Sequence, residues 1–292
     1  MIRTGKKFSK PEMSRVINGD VVLDAQDQKI EKYRLDHILK DIYKSYNRST
    51  LQKFIENGFV KVDGTVVTKP NQKFEPGIKV ELNIPETQKF SDVTPTILYE
   101  DSDVIVVDKP AGLLSEAKGE YCPEKTLADF GLVVHRLDRD TSGVMILAKN
   151  AAVQKFLKKQ FQDRKTKKTY YAVVEGHPKL DEARIDLPII RDLKRPTTFR
   201  VEAGGKPSET FYKVIKKSDQ YSLVELKPTT GRTHQLRVHM KFIGCPIKGD
   251  VVYGTPDKRL FLHAHSLEIT LPGGVRKTFT AKLPQEFNDV LR

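Results

Sequence analysis

The sequence lacks the long apolar runs, cysteine clusters and glycine-rich loops that would assign it to several large classes of protein. No run approaches the ~20 apolar residues of a membrane-spanning helix, so we expect no membrane association. The basic start, Met1–Lys7, has no apolar run behind it, which argues against a secretory signal. Two distant cysteines, Cys122 and Cys245, cannot form a metal site alone and are compatible with a reducing cytosol. Without a glycine-rich phosphate loop, the sequence predicts no nucleotide cofactor.

Positive charge is what the sequence has in excess. Its 51 lysines and arginines outnumber its 38 aspartates and glutamates, which gives a formal net charge of +13. Such a surplus favours a polyanionic partner, because basic side chains release counterions from a phosphate backbone. Nucleic acid is the first candidate, and an anionic membrane surface is the second. The length of 292 residues fits one large domain or one large and one small domain.

The first part of the chain predicts a small domain. Residues 1–31 are a mixed, polar N-terminal extension to which we assign no function. In residues 32–84, apolar side chains recur at helical spacing from Leu35 to Ile42 and again from Leu51 to Ile55. A hairpin follows, in which Asp63-Gly64 is a strong two-residue turn. Two helices followed by a small sheet are therefore predicted.

The rest of the chain predicts a larger domain rich in strands. Residues 85–94 are polar and are interpreted as a linker, and residues 95–292 form the larger domain. Strand-like apolar runs recur at Val104–Val107, Val144–Ala148, Tyr170–Val174, Thr210–Ile215 and Tyr221–Leu226. Few helical segments separate these runs. This pattern predicts an α+β domain with a mainly antiparallel mixed sheet, as opposed to a doubly wound one.

The densest group of reactive side chains lies in one loop between two apolar runs. It reads His135-Arg136-Leu137-Asp138-Arg139-Asp140-Thr141-Ser142-Gly143. A loop held by two buried strands is a rigid support for reactive groups. An adjacent guanidinium keeps a carboxylate ionised and so available as a nucleophile or a base. From these residues alone, a surface turn with ordinary ion pairs fits equally well.

The motif His-Arg-Leu-Asp-x-x-Thr-Ser-Gly resembles the signature of the RluA family of pseudouridine synthases. Other segments resemble family blocks in the same order, namely Asp103–Gly112, Lys168–Gly176, Thr230–His239, Gly244–Gly254 and Leu262–Ala264. This resemblance covers the chain from about residue 95 to its end. Residues 32–84 resemble the small RNA-binding domain first known from ribosomal protein S-four. The whole is similar to the two-domain members of the family.

The resemblance implies an isomerase that converts uridine within RNA to pseudouridine. It implies that Asp138 is the catalytic aspartate, that Arg136 occupies the space of a flipped-out uridine, and that Tyr170 stacks on the uracil. Arg237 would pair with Asp138, and Leu236 would form part of the pocket wall. The sequence does not distinguish attack of the carboxylate on the anomeric carbon from proton abstraction that gives a glycal. The rearrangement requires no cofactor and no metal.

The resemblance also implies contacts with RNA outside the pocket. In the small domain the basic side chains concerned are Arg34, Arg48, Lys53 and Lys61. In the large domain the basic run from Lys155 to Lys168 suits a surface that follows phosphates. Large-subunit ribosomal RNA is the expected substrate and transfer RNA is the alternative. We expect a cytoplasmic monomer.

Two other classes of function remain alternatives. A non-catalytic RNA-binding protein, such as a ribosome-assembly factor, would use the same charge and the same small domain, but it has no need for Asp138 beside two arginines. A zinc hydrolase could use a set of four histidines, His234, His239, His263 and His265. The five-residue spacing of the first two differs from the four residues that align two ligands on a helix.

Overall fold

The structure is a computed structural model that describes residues 2–7, 32–44, 46–84, 94–116 and 126–292. The described residues fall into two compact units, of which the smaller lies before residue 85 and the larger after residue 93. Apart from Thr94, the predicted linker lies outside the described residues, and so does most of the N-terminal extension. In the part of the chain that the structure describes, no helix is both long and apolar enough to span a membrane.

The small unit combines two helices with short strands. Its elements are β1 (Ile2–Lys7), β2 (Tyr33–Arg34), α1 (Leu35–Ile42), α2 (Arg48–Glu56), β3 (Val60–Val62), β4 (Thr65–Val66), β5 (Lys73–Phe74) and β6 (Lys79–Ile84). The strands β1, β6, β3 and β4 form one antiparallel sheet in that order, and β2 pairs with β5. Sequence analysis missed β1, because its residues are mostly polar and show no strand-like alternation.

The helices of the small unit are stabilised by burial of their apolar side chains and, in α2, by an N-terminal cap. Their apolar side chains, Leu35 and Leu51 among them, are fully buried in one cluster with Val80 of the sheet. The side chain of Asn47 caps α2 by accepting a hydrogen bond from the amide of Thr50 at 2.9 Å. The cap satisfies one of the amides that a helix start leaves without a partner inside the helix.

The large unit is built on one extended sheet. Its elements are β7 (Thr96–Glu100), β8 (Val104–Lys109), a 3₁₀ helix (Leu127–Asp129), β9 (Leu132–Val133), β10 (Ser142–Ala148), α3 (Ala151–Gln162), β11 (Lys167–Glu175), β12 (Glu182–Asp186), β13 (Ile189–Arg191), β14 (Phe199–Val201), β15 (Glu209–Lys217), β16 (Tyr221–Pro228), α4 (Gln235–Phe242), β17 (Leu262–Thr270), β18 (Arg276–Thr280) and α5 (Gln285–Asp289). The sheet order is β12-β15-β16-β11-β17-β10-β8-β7, with β18 beside β17 and β9 beside β10. Of the strand pairs within this sheet, β10–β17 is parallel and the others are antiparallel. The predicted α+β class with a mainly antiparallel mixed sheet is confirmed.

The parallel pair joins the two halves of the large sheet. Ser142 and Gly143 at the start of β10 pair with His263 and Ala264 of β17. Gly143 has a φ of +115°, and a Cβ atom on it would lie 2.2 Å from the carbonyl oxygen of Ala264. Only glycine permits so close a backbone contact. The reactive loop that ends at this glycine is therefore held against the strands of the other half.

Candidate active site

A cavity of about 460 Å³ opens beside the start of β10. Its walls come from the loop 135–141, from residues 161–170 at the end of α3 and the start of β11, from residues 228–237, and from Leu262. Five residues that the sequence assigned to the catalytic site line this cavity, namely Arg136, Asp138, Tyr170, Leu236 and Arg237. Residues separated by about a hundred positions in the chain thus meet at one site.

An ion pair holds the carboxylate of Asp138. The Nη1 atom of Arg237 donates a hydrogen bond to Oδ2 of Asp138 at 3.1 Å. The side chain of Arg237 is 9% exposed, whereas that of Asp138 is 23% exposed and borders the cavity. This geometry leaves part of the carboxylate open to a ligand while its other side is fixed.

Asp250 holds Arg237 from behind. Its Oδ2 and Oδ1 atoms accept hydrogen bonds from Nε and Nη2 of Arg237, both at 2.7 Å. Burial by itself raises the pKa of Asp250, but the bonds from Arg237 and from the amides of Val252 and Tyr253 outweigh it and lower this pKa. A two-pronged pair of this kind fixes the orientation of the guanidinium. Sequence analysis gave Asp250 no role, although it lies within the family-like segment Gly244–Gly254.

Tyr170 and Leu236 provide the apolar part of the cavity wall. Both line the cavity, and Tyr170 packs against the buried cluster that contains Leu236. Burial, with a contribution from the charge of Asp138, raises the pKa of the Tyr170 hydroxyl well above its usual range. The phenol is therefore neutral, and its aromatic ring forms part of the cavity wall.

Arg136 differs from Arg237 in its surroundings. It is exposed, lines the cavity and follows His135 in the loop. Among the described residues, no carboxylate forms a salt bridge with it. Its guanidinium is accordingly available to an anionic ligand at the mouth of the cavity.

His135 anchors the start of the reactive loop. Its Nε2 accepts a hydrogen bond from the amide of Ile146 at 3.2 Å, and its ring stacks on Phe161 with centroids 4.5 Å apart. Burial, assisted by the positive charge of Lys168, lowers the pKa of His135 to about 3. The ring is therefore neutral. Sequence analysis quoted this residue in the motif without assigning it a role.

Lys109 anchors the other end of the same loop. Its Nζ donates hydrogen bonds to the carbonyl oxygens of Pro110, Leu113 and Arg139 at 3.0, 2.7 and 2.8 Å. Burial lowers the pKa of Lys109 to about 7, although nearby carboxylates act in the opposite direction. The lysine ties the loop to the turn that follows β8.

The histidines proposed as zinc ligands have hydrogen-bond partners within the protein. His234 Nδ1 lies 2.9 Å from the Tyr253 hydroxyl, and its Nε2 lies 3.8 Å from Oδ2 of Asp138. The other three contact hydroxyl or carbonyl oxygens, with His239 bonded to Thr210 and Leu187, His263 to Ser142 and Ala281, and His265 to Ala281. Within the residues that the structure describes, no three side chains are grouped as metal ligands would be.

The basic residues predicted to contact RNA in the small domain lie in the small unit. Arg34 and Arg48 both donate to the carboxylate of Asp36, whose side chain is fully buried. Lys53 is exposed and Lys61 is half-buried. The structure thus brings the two arginines together through Asp36, a contact that the sequence did not predict.

Comparison with known proteins identifies the class. The family described as RNA pseudouridylate synthase matches residues 103–242, and the S4 domain matches residues 34–78. An Aquifex aeolicus protein named as an uncharacterized RNA pseudouridine synthase is 40% identical over 246 residues, which is 77% of this chain and 78% of that protein. Ribosomal large subunit pseudouridine synthase D of Borreliella burgdorferi is 36% identical over 286 residues, or 87% of each chain.

Further relatives agree with these matches. The dual-specificity RNA pseudouridine synthase RluA of Salmonella typhi is 43% identical over 205 residues, which is 65% of this chain and 93% of that protein. The solved structure of human RNA pseudouridylate synthase domain containing 1 has a TM-score of 0.57 at 28% identity, over 68% of this chain and 95% of that one. The chain belongs to the RNA pseudouridine synthase family. It is an enzyme with an RNA-binding S4 domain, and its relatives include RluA and ribosomal large subunit pseudouridine synthase D, which confirms the resemblance seen in the sequence.

Proposed function

We propose that this protein converts specific uridines of large-subunit ribosomal RNA to pseudouridine, and that Asp138 is its catalytic carboxylate. The observation that carries the proposal is the array of Asp138, Arg237 and Asp250 in the wall of the cavity. Among the described residues that line the cavity, Asp138 is the one carboxylate. Asp250 fixes Arg237, and Arg237 in turn fixes Asp138. A carboxylate held in this way is suited to reacting with one particular atom of the substrate.

The charge around the cavity supports RNA as the ligand. Besides Asp138 and Arg237, the lining includes the basic residues Arg136, Arg164, Lys168 and Arg232, of which Arg136 and Arg164 are exposed. Positive side chains at a pocket mouth attract a phosphate backbone and position it. The S4 domain and the relatives that are named as RNA enzymes support the same partner.

The proposal includes base flipping. Uracil within a helix is stacked, and its glycosidic bond becomes accessible only when the nucleotide turns out, at a cost of a few kcal/mol. Arg136 is exposed beside the cavity and offsets part of this cost by filling the vacated space. The face of Tyr170 holds the turned-out ring by stacking, which contributes roughly 1–3 kcal/mol per base. Leu236 covers the adjacent part of the ring.

In the proposed reaction, Asp138 assists the departure of uracil from the sugar. It acts either by attacking carbon 1′ or by abstracting a proton from carbon 2′. The ring then turns, and its carbon 5 bonds to carbon 1′ either as the ester bond between carbon 1′ and Asp138 breaks or as Asp138 returns the proton to carbon 2′. Carbon 5 then loses its proton while nitrogen 1 gains one. The product is an isomer of the substrate, so the reaction requires no cofactor. We further propose that the enzyme acts as a cytoplasmic monomer.

Pseudouridine maps of total RNA test the proposal. The maps compare cells with the gene, cells without it, and deleted cells that carry the wild-type, Asp138→Asn or Asp140→Asn protein. Asp140 is the matched control, because it is an exposed carboxylate of the same loop. We expect sites in large-subunit RNA to be lost on deletion and restored by the wild type and Asp140→Asn alone. If the Asp138→Asn protein restores the pseudouridines, the catalytic assignment of Asp138 is wrong. If the pseudouridines lost on deletion are all in transfer RNA, the substrate is transfer RNA and not ribosomal RNA.

A further inference from the structure

Lys168 is a charged group of the cavity that the proposed mechanism does not use. It lies in β11 two residues before Tyr170, and both side chains line the cavity. Its Nζ donates a hydrogen bond to the carbonyl oxygen of Thr230 at 3.2 Å. The same atom lies 3.9 Å from the position that a Cβ on Gly231 would occupy. The ammonium therefore sits in the wall formed by β11 and by the loop after β16.

This ammonium has no counter-charge within the described residues. No described carboxylate lies within salt-bridge distance of it, and its hydrogen-bond acceptor, the carbonyl of Thr230, is neutral. Burial lowers the pKa of Lys168 to about 8. Burying a charge without a counter-ion costs free energy. A ligand that places negative charge beside the Lys168 ammonium removes this cost and should therefore bind strongly there. Since an ammonium has three N–H donors, two remain for such a ligand.

We propose that Lys168 is a further catalytic residue, whose ammonium donates a hydrogen bond to a ring oxygen of the departing uracil. This inference rests on the proposed function, in which a uridine occupies the cavity between Asp138 and Tyr170. When the bond from carbon 1′ to nitrogen 1 breaks, the electron pair stays with uracil, and the ring oxygens share the resulting charge. The charge disappears when carbon 5 bonds to carbon 1′, its proton leaves to water, and nitrogen 1 takes up a proton. Lys168 keeps its own proton throughout.

The depth of Lys168 favours the base over a phosphate as its ligand. Arg136 and Arg164 also line the cavity, and both are exposed, as suits groups that meet a solvated backbone. Lys168 is half-buried and is close enough to the buried ring of His135 to lower its pKa. A donor within a desolvated site stabilises developing charge far more than a donor in water does.

The test uses two substitutions of Lys168 and one control. Lys168→Met removes the charge at similar volume, and Lys168→Arg keeps it. Lys213→Met is the matched control, because Lys213 is an exposed lysine of β15 that does not line the cavity. The substrate is total RNA that is labelled with tritium at carbon 5 of uridine and taken from cells without the gene. Release of tritium then reports formation of the new carbon–carbon bond, whichever RNA is the target.

We expect Lys168→Met to lower the single-turnover rate by about 100-fold, as the loss of one charge-stabilising donor does in other enzymes. RNA affinity and melting temperature should stay close to those of the wild type, and Lys168→Arg should recover part of the rate.

The wild-type rate should fall as pH rises through about 8, because the ammonium loses its proton there. Lys168→Met should lack this fall. The other ionisable groups that line the cavity are His135, Arg136, Asp138, Arg164, Tyr170, Arg232, His234 and Arg237.

Two results would overturn the inference. If affinity falls at an unchanged rate, and the slope of log affinity against log salt drops by about 1, Lys168 binds phosphate. If the rate falls together with the melting temperature and Lys168→Arg recovers nothing, the lysine is structural. Asp138→Asn in the same assay separates this inference from the proposed function, since an active Asp138→Asn enzyme would contradict the function whatever Lys168 does.

Discussion

Each unit of the molecule contains a cluster of three aspartate and arginine side chains around a buried centre, and these two clusters are built in opposite ways. In the small unit the carboxylate is buried, because Asp36 lies beneath Arg34 and Arg48, whose side chains remain 40% and 48% exposed. In the large unit the arginine is buried, because Arg237 lies between Asp250 and the cavity-facing Asp138. In each cluster, the buried partner fixes the geometry and the other partner faces solvent or the cavity.

Under the proposed function, the difference between the clusters indicates what each one would present to RNA. The small unit presents two guanidinium groups, which suit phosphates. The large unit presents one carboxylate, which suits chemistry on a sugar. In both, the charge that we propose to meet the substrate is held by a buried opposite charge, so the interacting group is the more exposed partner and its support is the buried one. Substitutions of the buried partners should therefore act on stability and geometry, and substitutions of the exposed ones on binding or catalysis.

The largest effect is expected from Asp250→Asn. It leaves Arg237 buried with half of its counter-charge, and breaking a buried pair of this kind costs about 3–5 kcal/mol in the free energy of unfolding. The released guanidinium also misplaces Asp138, which should lower the single-turnover rate by about 100-fold. Urea unfolding and tritium release measure the two effects. Asp257→Asn is the control, because its pair with Lys248 is partly exposed and should contribute less than about 1 kcal/mol.

A smaller effect is expected from Asp36→Asn in the small unit. Its partners Arg34 and Arg48 can turn to water, so the loss should be about 2 kcal/mol, a typical value for an unsatisfied buried group. RNA affinity should fall because the two arginines lose their orientation. The rate at saturating RNA should stay unchanged, and a large fall in that rate would contradict the separate roles of the clusters.

Acid should weaken the small unit through the same carboxylate. Burial alone raises the pKa of Asp36, but hydrogen bonds from Arg34, Gln52 and Arg48 outweigh it and hold this pKa well below its usual range. The unfolded chain therefore takes up a proton at higher pH than the folded one. The stabilisation is complete above the usual pKa of about 4 and is lost as pH falls further, on the order of 2 kcal/mol in all. Urea unfolding at pH 6 and pH 3 should show this loss, and Asp36→Asn should show less of it.

The smallest effect is expected from single substitutions of basic residues in the small unit. They compare an arginine that Asp36 orients with an exposed lysine. Arg48→Gln and Lys53→Gln each remove one positive charge, and each should reduce the salt slope of RNA binding by about 1. Arg48 is oriented by Asp36 whereas Lys53 is exposed, so Arg48→Gln should weaken binding more. Equal effects of the two substitutions would show that orientation by Asp36 does not matter to affinity.

Local patterns in the sequence predicted most of the fold. Asn47 is a helix cap by its position alone, and the alternation around Asp63-Gly64 predicted the hairpin of β3 and β4. Contacts between distant residues were not predictable in this way. Nothing local shows that Ile2–Lys7 pairs with β6, or that β10 pairs in parallel with β17, because such pairs depend on the whole sheet.

The candidate site shows the same limit. Asp138 was found through its motif, since its neighbours in the chain carry the resemblance. Asp250 lies 13 residues from Arg237, beyond the end of α4, and the ion pair between them appears only in three dimensions. Arg34 and Arg48 were predicted as RNA contacts from their charge and position, and they lie in β2 and at the start of α2, but sequence analysis assigned no role to Asp36, the partner that they share.

The parallel pair of β10 and β17 has a consequence for the synthesis of the chain on the ribosome. Asp138 precedes β10, whereas Tyr170 lies in β11 and Arg237 lies in α4, which packs against the half of the sheet that contains β11. The strand between the two halves, Leu262–Thr270, follows every proposed catalytic residue in the chain. A nascent chain that ends before this strand has both halves of the cavity without the element that joins them. We therefore expect the cavity to assemble only after β17 has been made, and truncation after α4 should abolish activity although every proposed catalytic residue is present.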